Sequence, residues 1–446
     1  MLDKKNVVFI VLDSLRKDRL SVYNDDVDFT ENIQGLAESS VVFERAVSQS
    51  IWTLPSHASM FTGDYPWEHG ATHQKTYFGE ENDTFIQDFK EEGYRTGIIT
   101  SNAWLTPHKG MTRDFDYVEN FLGKADNRFV ARMSRTFSRL LDNRSQRVKK
   151  PVSRFIDSFF AYFSIDDACK TEETFEEAKS FIEDVEDEDF FLLLNIMEPH
   201  EPYNPPEEYC EAHGVKDIDS VPDRQKEMFT RDIDFEDLGR AYDASADYTD
   251  DIVGRLMDVL EENGLSEDTV VVLLSDHGQA LGEDGVFGHQ FSVVDALIDT
   301  VLIVKDPDRE PERRGEQVEL RKLHDLVPYY AGIAEEPDQV HPEYVRGGVE
   351  FPECFIGHIP EDEWEEYYRK FRYVKKGDRK MVKSWNEDEE ERYTTYDRDT
   401  GQEIEEDDEL NKEVDSIDVD VDVSEEEAER DEEVKKRLED LGYMGG

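Results

Sequence analysis

Near its start the chain reads Asn-Val-Val-Phe-Ile-Val-Leu-Asp, from Asn6 to Asp13, an apolar and largely β-branched run with no polar face. A strand with one solvated side alternates apolar and polar residues. A strand covered on both faces reads instead as continuous Val, Ile and Leu. Arg95–Thr100, Asp189–Met197, Asp268–Asp276 and Asp299–Asp306 have the same character. Helical patterns lie between the runs, over Asp83–Glu92, Glu172–Val185 and Leu238–Asn263, the last closed by Gly264 as a C-cap. Doubly covered strands alternating with helices predict an α/β fold with a mostly parallel sheet sandwiched by helices. A chain of 446 residues, 37% hydrophobic, has material for that core and a subdomain besides.

The pattern changes near Pro337. Short strand-like pieces over Phe371–Gly377, Lys380–Trp385 and Arg392–Asp397 follow one another with turn-like breaks. They predict a main domain over 1–336 and a small C-terminal antiparallel α+β subdomain over 337–446. Within the latter, 402–430 is dominated by Asp and Glu and reads as solvated chain, and a last helix closes the sequence.

Charge narrows the setting. The 108 acidic residues outnumber 51 Lys and Arg, a formal net charge of -57 spread along the whole chain. Self-repulsion of that size destabilises a compact state in dilute buffer and is screened in concentrated salt. The composition fits a halophilic, archaeal-type cytoplasm. It excludes duplex nucleic acid as a partner, since phosphates require a concentrated basic patch. Cys169, Cys210 and Cys354 have no metal or redox spacing, which fits a reducing compartment. The N-terminal apolar run ends in Asp13 without a cleavage site and reads as a strand, not a leader. No stretch is long enough to span a membrane.

One segment runs against the overall charge. Residues 124–154 are rich in Arg and Lys, with Arg128, Arg132, Arg135 and Arg139 at helical spacing, and Phe155–Phe163 adds aromatic surface. A basic amphipathic helix beside aromatics suits peripheral contact with an anionic membrane face through 124–163. It equally suits packing on the protein's own acidic surface.

Chemistry-bearing residues gather at the carboxyl ends of the predicted strands, where parallel α/β sheets place their sites. Asp13 ends the first run, Asp276 and His277 end another, and Glu198 and His200 follow a third. A single Asp at a strand end is ordinarily a helix cap. Two Asp and a His at equivalent ends suit a hard or borderline divalent cation.

Four stretches carry a resemblance: Phe9–Leu20, Trp52–Gly63, Glu198–Pro206 and Ser275–His289. In that order they resemble the sulfatase family of the alkaline phosphatase superfamily, over most of residues 6–335. The resemblance implies that 1–336 is the catalytic domain and that Asp13, Asp276 and His277 are metal ligands. Thr53 stands at the nucleophile position, in Thr53-Leu54-Pro55-Ser56-His57, where the family has Cys or Ser and ends its signature in Arg. His200 resembles the histidine that contacts the anion or leaving group. His289 sits near a common Lys position and, with Asn102, is a candidate substrate-binding residue. The implied cofactor is one divalent ion (Ca, Mg or Mn). The implied substrate is a sulfated or phosphorylated small molecule, glycan or lipid head group.

The departures matter as much. Threonine cannot become formylglycine, His57 replaces the signature's Arg, and Ser14 stands where the family has a second Asp. This simpler set is also similar to that of phosphonate monoester hydrolases and phosphoglycerol transferases. A hydroxyl nucleophile implies double displacement through a covalent threonine ester, with Thr53 also a metal ligand. The readings left open are a sulfatase-family hydrolase of sulfate or phosphate esters, a phosphodiesterase or phosphotransferase, and a catalytically degenerate anion-binding protein. The oligomeric state is open as well.

The charge yields a direct test. The thermal midpoint should rise between dilute buffer and molar KCl, where the screening length falls to roughly 3 Å. A sharp, reversible transition as high in low salt would contradict it.

Overall fold

The computed structural model describes residues 4–122, 170–185, 188–352, 359–397 and 401–417. Strands β1 (Asn6–Leu12), β2 (Val41–Val47), β3 (Arg95–Thr100), β4 (Tyr117–Asn120), β5 (Phe190–Ile196) and β6 (Thr269–Leu274) come first. A short hairpin, β7 (Ala280–Leu281) and β8 (Phe287–Gly288), precedes β9 (Asp299–Thr300), β10 (Leu302–Lys305) and β11 (Glu312–Glu319). The main sheet runs in the order β11, β2, β10, β6, β1, β5, β3, β4, with β9 beside β2. β1 is central and fully buried, paired in parallel with both β5 and β6. Its residues alternate between two cores. Val7, Phe9 and Val11 face the layer holding helices Thr53–Thr62 and Phe85–Glu91, while Val8, Ile10 and Leu12 face helices Thr171–Asp184 and Phe235–Glu262. This is the mostly parallel, helix-sandwiched arrangement expected.

The predicted strands and helices lie within a few residues of the observed ones. Gly264 does close the long helix, at φ 70, with the Gly264 and Leu265 amides donating to the Glu261 and Leu260 carbonyls. One strand needs correction. Asp299–Asp306 is split into β9 and β10, and β10 runs antiparallel to β6 and β2. A parallel return would require a full crossover helix. The chain between β6 and β10 is instead a loop that carries the short hairpin.

A second sheet is antiparallel throughout: β12 (Val345–Val349), β13 (Lys370–Lys376), β14 (Arg379–Trp385), β15 (Glu391–Asp397) and β16 (Glu403–Ile404). The acidic stretch expected to be solvated is ordered as far as it is described. Helix Asp408–Asp415 packs Leu410 and Val414, with Ile417 beyond, onto Val374 and Met381. Apolar residues four and three apart give it a buried stripe despite its charge. The basic stripe, Phe155–Phe163, Cys169, Cys354, residues from 418 on and the final helix lie outside the described residues. Among the described residues no helix is long and apolar enough to cross a membrane.

The two sheets meet at the segment leading to Thr53. The Gly348 amide donates to the Gln49 carbonyl at 3.0 Å, and the Tyr373 hydroxyl donates to the Ser48 carbonyl. Beside them Asp295 pairs with Lys375 at 2.8 Å and Lys380 at 2.9 Å, both lysines buried. Removing one partner of a buried ion pair strands the other charge. Asp299 also pairs with Lys375, so Asp295→Ala strands Lys380 and should cost about 3 kcal/mol, read as a lower denaturant midpoint, whereas an exposed change such as Asp378→Ala should stay within about 0.5 kcal/mol.

Candidate active site

The parallel registers place the carboxyl ends of β6, β1, β5 and β3 side by side. Val11 of β1 lies level with Asn195 of β5 and Leu274 of β6, and Thr100 of β3 with Asn195. The residues just beyond these ends therefore converge. Asp13 is fully buried. Its Oδ2 accepts from the side-chain amides of Asn102 at 2.8 Å and Asn195 at 3.1 Å, and lies 3.5 Å from Thr53 Oγ1. Its Oδ1 accepts from the Ser14 hydroxyl at 3.2 Å. Asp276 Oδ1 accepts from the amides of Ser14 at 3.3 Å and His277 at 3.0 Å.

Ser14 makes that bridge from a strained position, φ 61, where a non-glycine residue is uncommon. Tyr242 holds the turn, its hydroxyl donating to the Ser14 carbonyl at 2.8 Å and accepting from the Arg16 amide at 2.7 Å. Gly278 follows His277 because nothing larger fits. A Cβ there would stand 1.9 Å from the Ala296 carbonyl oxygen.

Thr53 is the first residue of helix Thr53–Thr62, so the helix begins at the nucleophile position itself. Gly63, at φ 77, closes it. Pro55 falls in the first turn, where its missing N–H costs no helical bond. The Ser56 hydroxyl donates to the Asp276 carbonyl at 2.7 Å, stitching the helix to the end of β6. Asn102 Nδ2 lies 3.3 Å from Thr53 Oγ1. His57 lies beneath, its Nδ1 bonded to the Thr53 carbonyl at 3.0 Å and 3.6 Å from Asp276 Oδ2.

The donor set suits a cation. Asp13, Asp276 and His277 each offer one ligand atom, and these atoms lie within 4.8 Å of one another. Among the described residues, buried Asp276 Oδ2, His277 Nε2 and His57 Nε2 have no hydrogen-bond partner. His277 Nδ1 faces the Gly278 carbonyl at 2.9 Å, which leaves Nε2 as the ligand atom. Burial pushes His277 and His57 down to about 4, so both rings are neutral. Burial would raise Asp13, but His200 and the Asn195 amide outweigh it and hold the carboxyl below its usual range. Asp276 is driven well above that range by burial and then by Asp13. Two buried carboxylates cannot both ionise here unaided, and a cation would remove the conflict.

A second group adjoins the first. The His277 and His289 rings lie 4.7 Å apart, and those of His289 and His200 4.9 Å. His289 Nδ1 faces Gln279 Oε1 at 2.8 Å, and Gln279 Nε2 donates to Glu201 Oε2 at 2.6 Å and the Tyr203 hydroxyl at 2.9 Å. His200 is held above its ordinary value; burial works against this, and the Glu201 and Asp13 carboxylates prevail. The structure thus brings together Asp13, Thr53, His57, Asn102, Asp276 and His277, with His200 and His289 alongside. Sequence reasoning missed Asn195, Gln279, Glu201 and the bridging role of Ser14. Asn195 had left a signal, as the one polar residue inside the apolar run Phe190–Ile196.

A family model described as sulfatase matches residues 5–335. The ulvan-active sulfatase of Formosa agariphila is 25% identical over 363 residues, covering 78% of this chain and 66% of that protein. The iduronate 2-sulfatase of Homo sapiens is 26% identical over 349 residues, covering 69% and 60%. The chain thus spans two thirds or less of the length of these two relatives. The solved phosphonate monoester hydrolase of Agrobacterium radiobacter shares the fold, with a TM-score of 0.64 at 16% identity, over 98% of this chain and 95% of that one.

Asp276→Ala leaves Asp13 and His277 alone at the first group. Metal affinity should fall by more than the roughly 10- to 100-fold that follows loss of a residue behind a ligand. Undiminished metal content by elemental analysis would reject the ligand set.

Proposed function

Because this chain belongs to the sulfatase family, we propose that it is a metal-dependent hydrolase of sulfate esters in which Thr53 is the nucleophile. The observation that carries the reading is the position of Thr53 Oγ1. It stands at the first turn of a buried helix, 3.5 Å from Asp13 Oδ2 and 3.3 Å from Asn102 Nδ2, beside a ligand set with orphaned donor atoms. Asp13, Asp276 and His277, with Thr53, would hold one divalent ion of the Ca, Mg or Mn kind. When bound, that ion draws charge from the ester's oxygens and lowers the cost of ionising the threonine hydroxyl.

The chain's own residues do the rest. Asn102 orients Thr53 Oγ1 and Asp13 together, and the first-turn amides of the helix face the developing anion. Thr53 Oγ1 gives up its proton and forms a bond to sulfur. The bond from sulfur to the alcohol oxygen breaks with its electron pair, and the alcohol takes up a proton. Water then attacks the threonine ester, loses a proton and frees sulfate, while Thr53 Oγ1 regains its hydrogen. His289, whose ring lies beside His277, and His200 beside it would contact the ester oxygens. His57 braces the helix start through its bond to the Thr53 carbonyl. Two relatives are named an ulvan-active sulfatase and an iduronate 2-sulfatase, and a sulfated glycan is the substrate class proposed here.

A phosphorus ester is the second reading, and the threonine hydroxyl itself favours it. Threonine cannot supply the aldehyde hydrate that releases sulfate by collapse, so both half-reactions are in-line displacements suited to phosphoryl transfer. With an alcohol as acceptor in place of water, the same site is a transferase.

Thr53→Ala should lower turnover by roughly a thousandfold or more and leave the fold intact. Mass spectrometry of acid-quenched reactions with aryl sulfate and phosphodiester substrates should show an adduct on Thr53. Turnover at the parent rate by the alanine variant would reject this role, and the substrate that leaves the adduct decides between sulfur and phosphorus.

A further inference from the structure

We propose that the groove between the C-terminal sheet and the main domain binds an acidic sugar unit, one bearing a carboxylate or a sulfate. The groove encloses about 940 Å³, within the range of ordinary ligand pockets. Asp13, Thr53, Asp276 and His277 do not line it. Helix Asp295–Ile298 stands between, with Asp295 and Ala296 on the groove and the Leu297 carbonyl accepting from the Gly278 amide at 2.8 Å. The groove is therefore separate from the ester-cleaving centre, and its binding does not depend on the chemistry at Thr53.

One wall is a face of the second sheet. Side chains alternate across a strand, and the pairings Ser384 with Arg392, Val382 with Thr394 and Lys380 with Tyr396 put these six on one side. Phe371, opposite Ser384, joins them from β13, and Arg369 precedes it by two residues. All eight line the groove. They include Arg369, Lys380 and Arg392 and no acid, in a chain with 108 acidic residues against 51 Lys and Arg. The other face of the sheet is the one that packs helix Asp408–Asp415.

Arg369 is the focus of that wall. It is buried, and its guanidinium donates to the Ser384 hydroxyl at 3.2 Å and to the carbonyls of Glu365 at 3.2 Å, Ser384 at 3.2 Å and Glu390 at 2.8 Å. None of these acceptors is a carboxylate, so the N–H groups are satisfied and the charge is not cancelled. Burial and then the Arg392 charge lower this guanidinium, and Glu366, Glu390 and Glu365 do not make up the difference. Arg392 is more exposed and pairs with Glu366 at 2.8 Å. An anion held between the two arginines would supply the missing charge, with the Ser384 and Thr394 hydroxyls on the same face.

The facing wall suits the rest of a sugar. Asp18 and Glu283 are committed to Arg16 at 2.7 Å each, Asp295 to Lys375 and Lys380, and Asp299 to Lys375. Asp284 has no ion-pair partner among the described residues and is free to accept from sugar hydroxyls. Burial, then the Asp284 carboxylate across the groove, push the Tyr396 phenol up. Tyr367, Phe371 and Tyr396 offer ring faces on which the C–H side of a sugar can lie. A bare inorganic anion would use the arginines and leave this wall idle. A neutral sugar would leave the Arg369 charge uncancelled.

The test is isothermal titration calorimetry of the full chain in molar KCl, which screens the acidic surface more than a buried pair. The probes are a uronate disaccharide without an ester group, its neutral counterpart and inorganic sulfate. The uronate should bind roughly tenfold more tightly than either control, and Arg369→Gln and Arg392→Gln should each weaken it by roughly tenfold. Near-ultraviolet dichroism checks each fold, and Arg392→Gln alone carries the test should Arg369→Gln not fold. Binding should survive removal of metal by chelator. Equal binding of either control, undiminished binding in the arginine variants, or loss on chelation overturns the proposal. Competition in the metal-loaded parent then identifies the source of the sugar. Inhibition of sulfated-oligosaccharide turnover, with turnover of a small aryl sulfate spared, makes it the far end of the substrate, and sparing of both makes it a separate glycan. Inhibition of both places the disaccharide at the ester centre and overturns the proposal. Absence of any turnover, with binding intact, rejects the ester reading and leaves the groove standing.

Discussion

Two carboxylates, Asp13 and Asp276, are buried with ligand atoms within 4.8 Å of each other, and among the described residues their partners are imidazoles, amides and hydroxyls. Much of the site follows from that arrangement. Like charges in a dry pocket are costly unless a counter-charge is present or one group stays protonated. The sheet forces the meeting, because β1 and β6 are parallel neighbours in register and each ends in an acid. The Ser14 amide and hydroxyl, the Asn102 and Asn195 amides and the His277 amide spread the charge without cancelling it. The nucleophile helix is tied into the same knot through Ser56 and the Asp276 carbonyl.

What the sequence made legible was the part governed by local pattern. Largely apolar runs marked β1, β5 and β6, since strands covered on both faces carry few polar residues, and β3 was legible through Ile98 and Ile99 despite Arg95, Thr96 and Thr100. The strand-end acids and histidines were visible for the same reason, as abrupt polar stops. β2 escaped notice because Glu44 and Arg45 interrupt its run at a half-covered stretch near the sheet's edge. The reversal of β10 was invisible, because direction is set by the length and path of the connection and not by the strand's own residues. Gln279 and Glu201 were missed because their importance lies in whom they touch. Nothing in Glu201-Pro202-Tyr203 announces a partner 78 residues away.

The C-terminal sheet shows how a second layer serves a site it barely enters. Tyr373 and Gly348 each bond to the backbone just before Thr53, and Tyr373, Val345 and Val349 belong to the same apolar cluster as the nucleophile helix. The paired charges of Asp295, Lys375 and Lys380 seal the seam in a place where unpaired charge would be costly.

That seam also has a meaning in time. The backbone at Ser48 and Gln49 emerges from the ribosome early, yet its partners lie roughly three hundred residues later in synthesis. Contacts so distant in sequence form late, after the parallel core has closed around β1. The two acids likewise meet only once β6 has followed β1, so both the paired carboxylates and the clamp on the Thr53 segment wait for the later part of the chain.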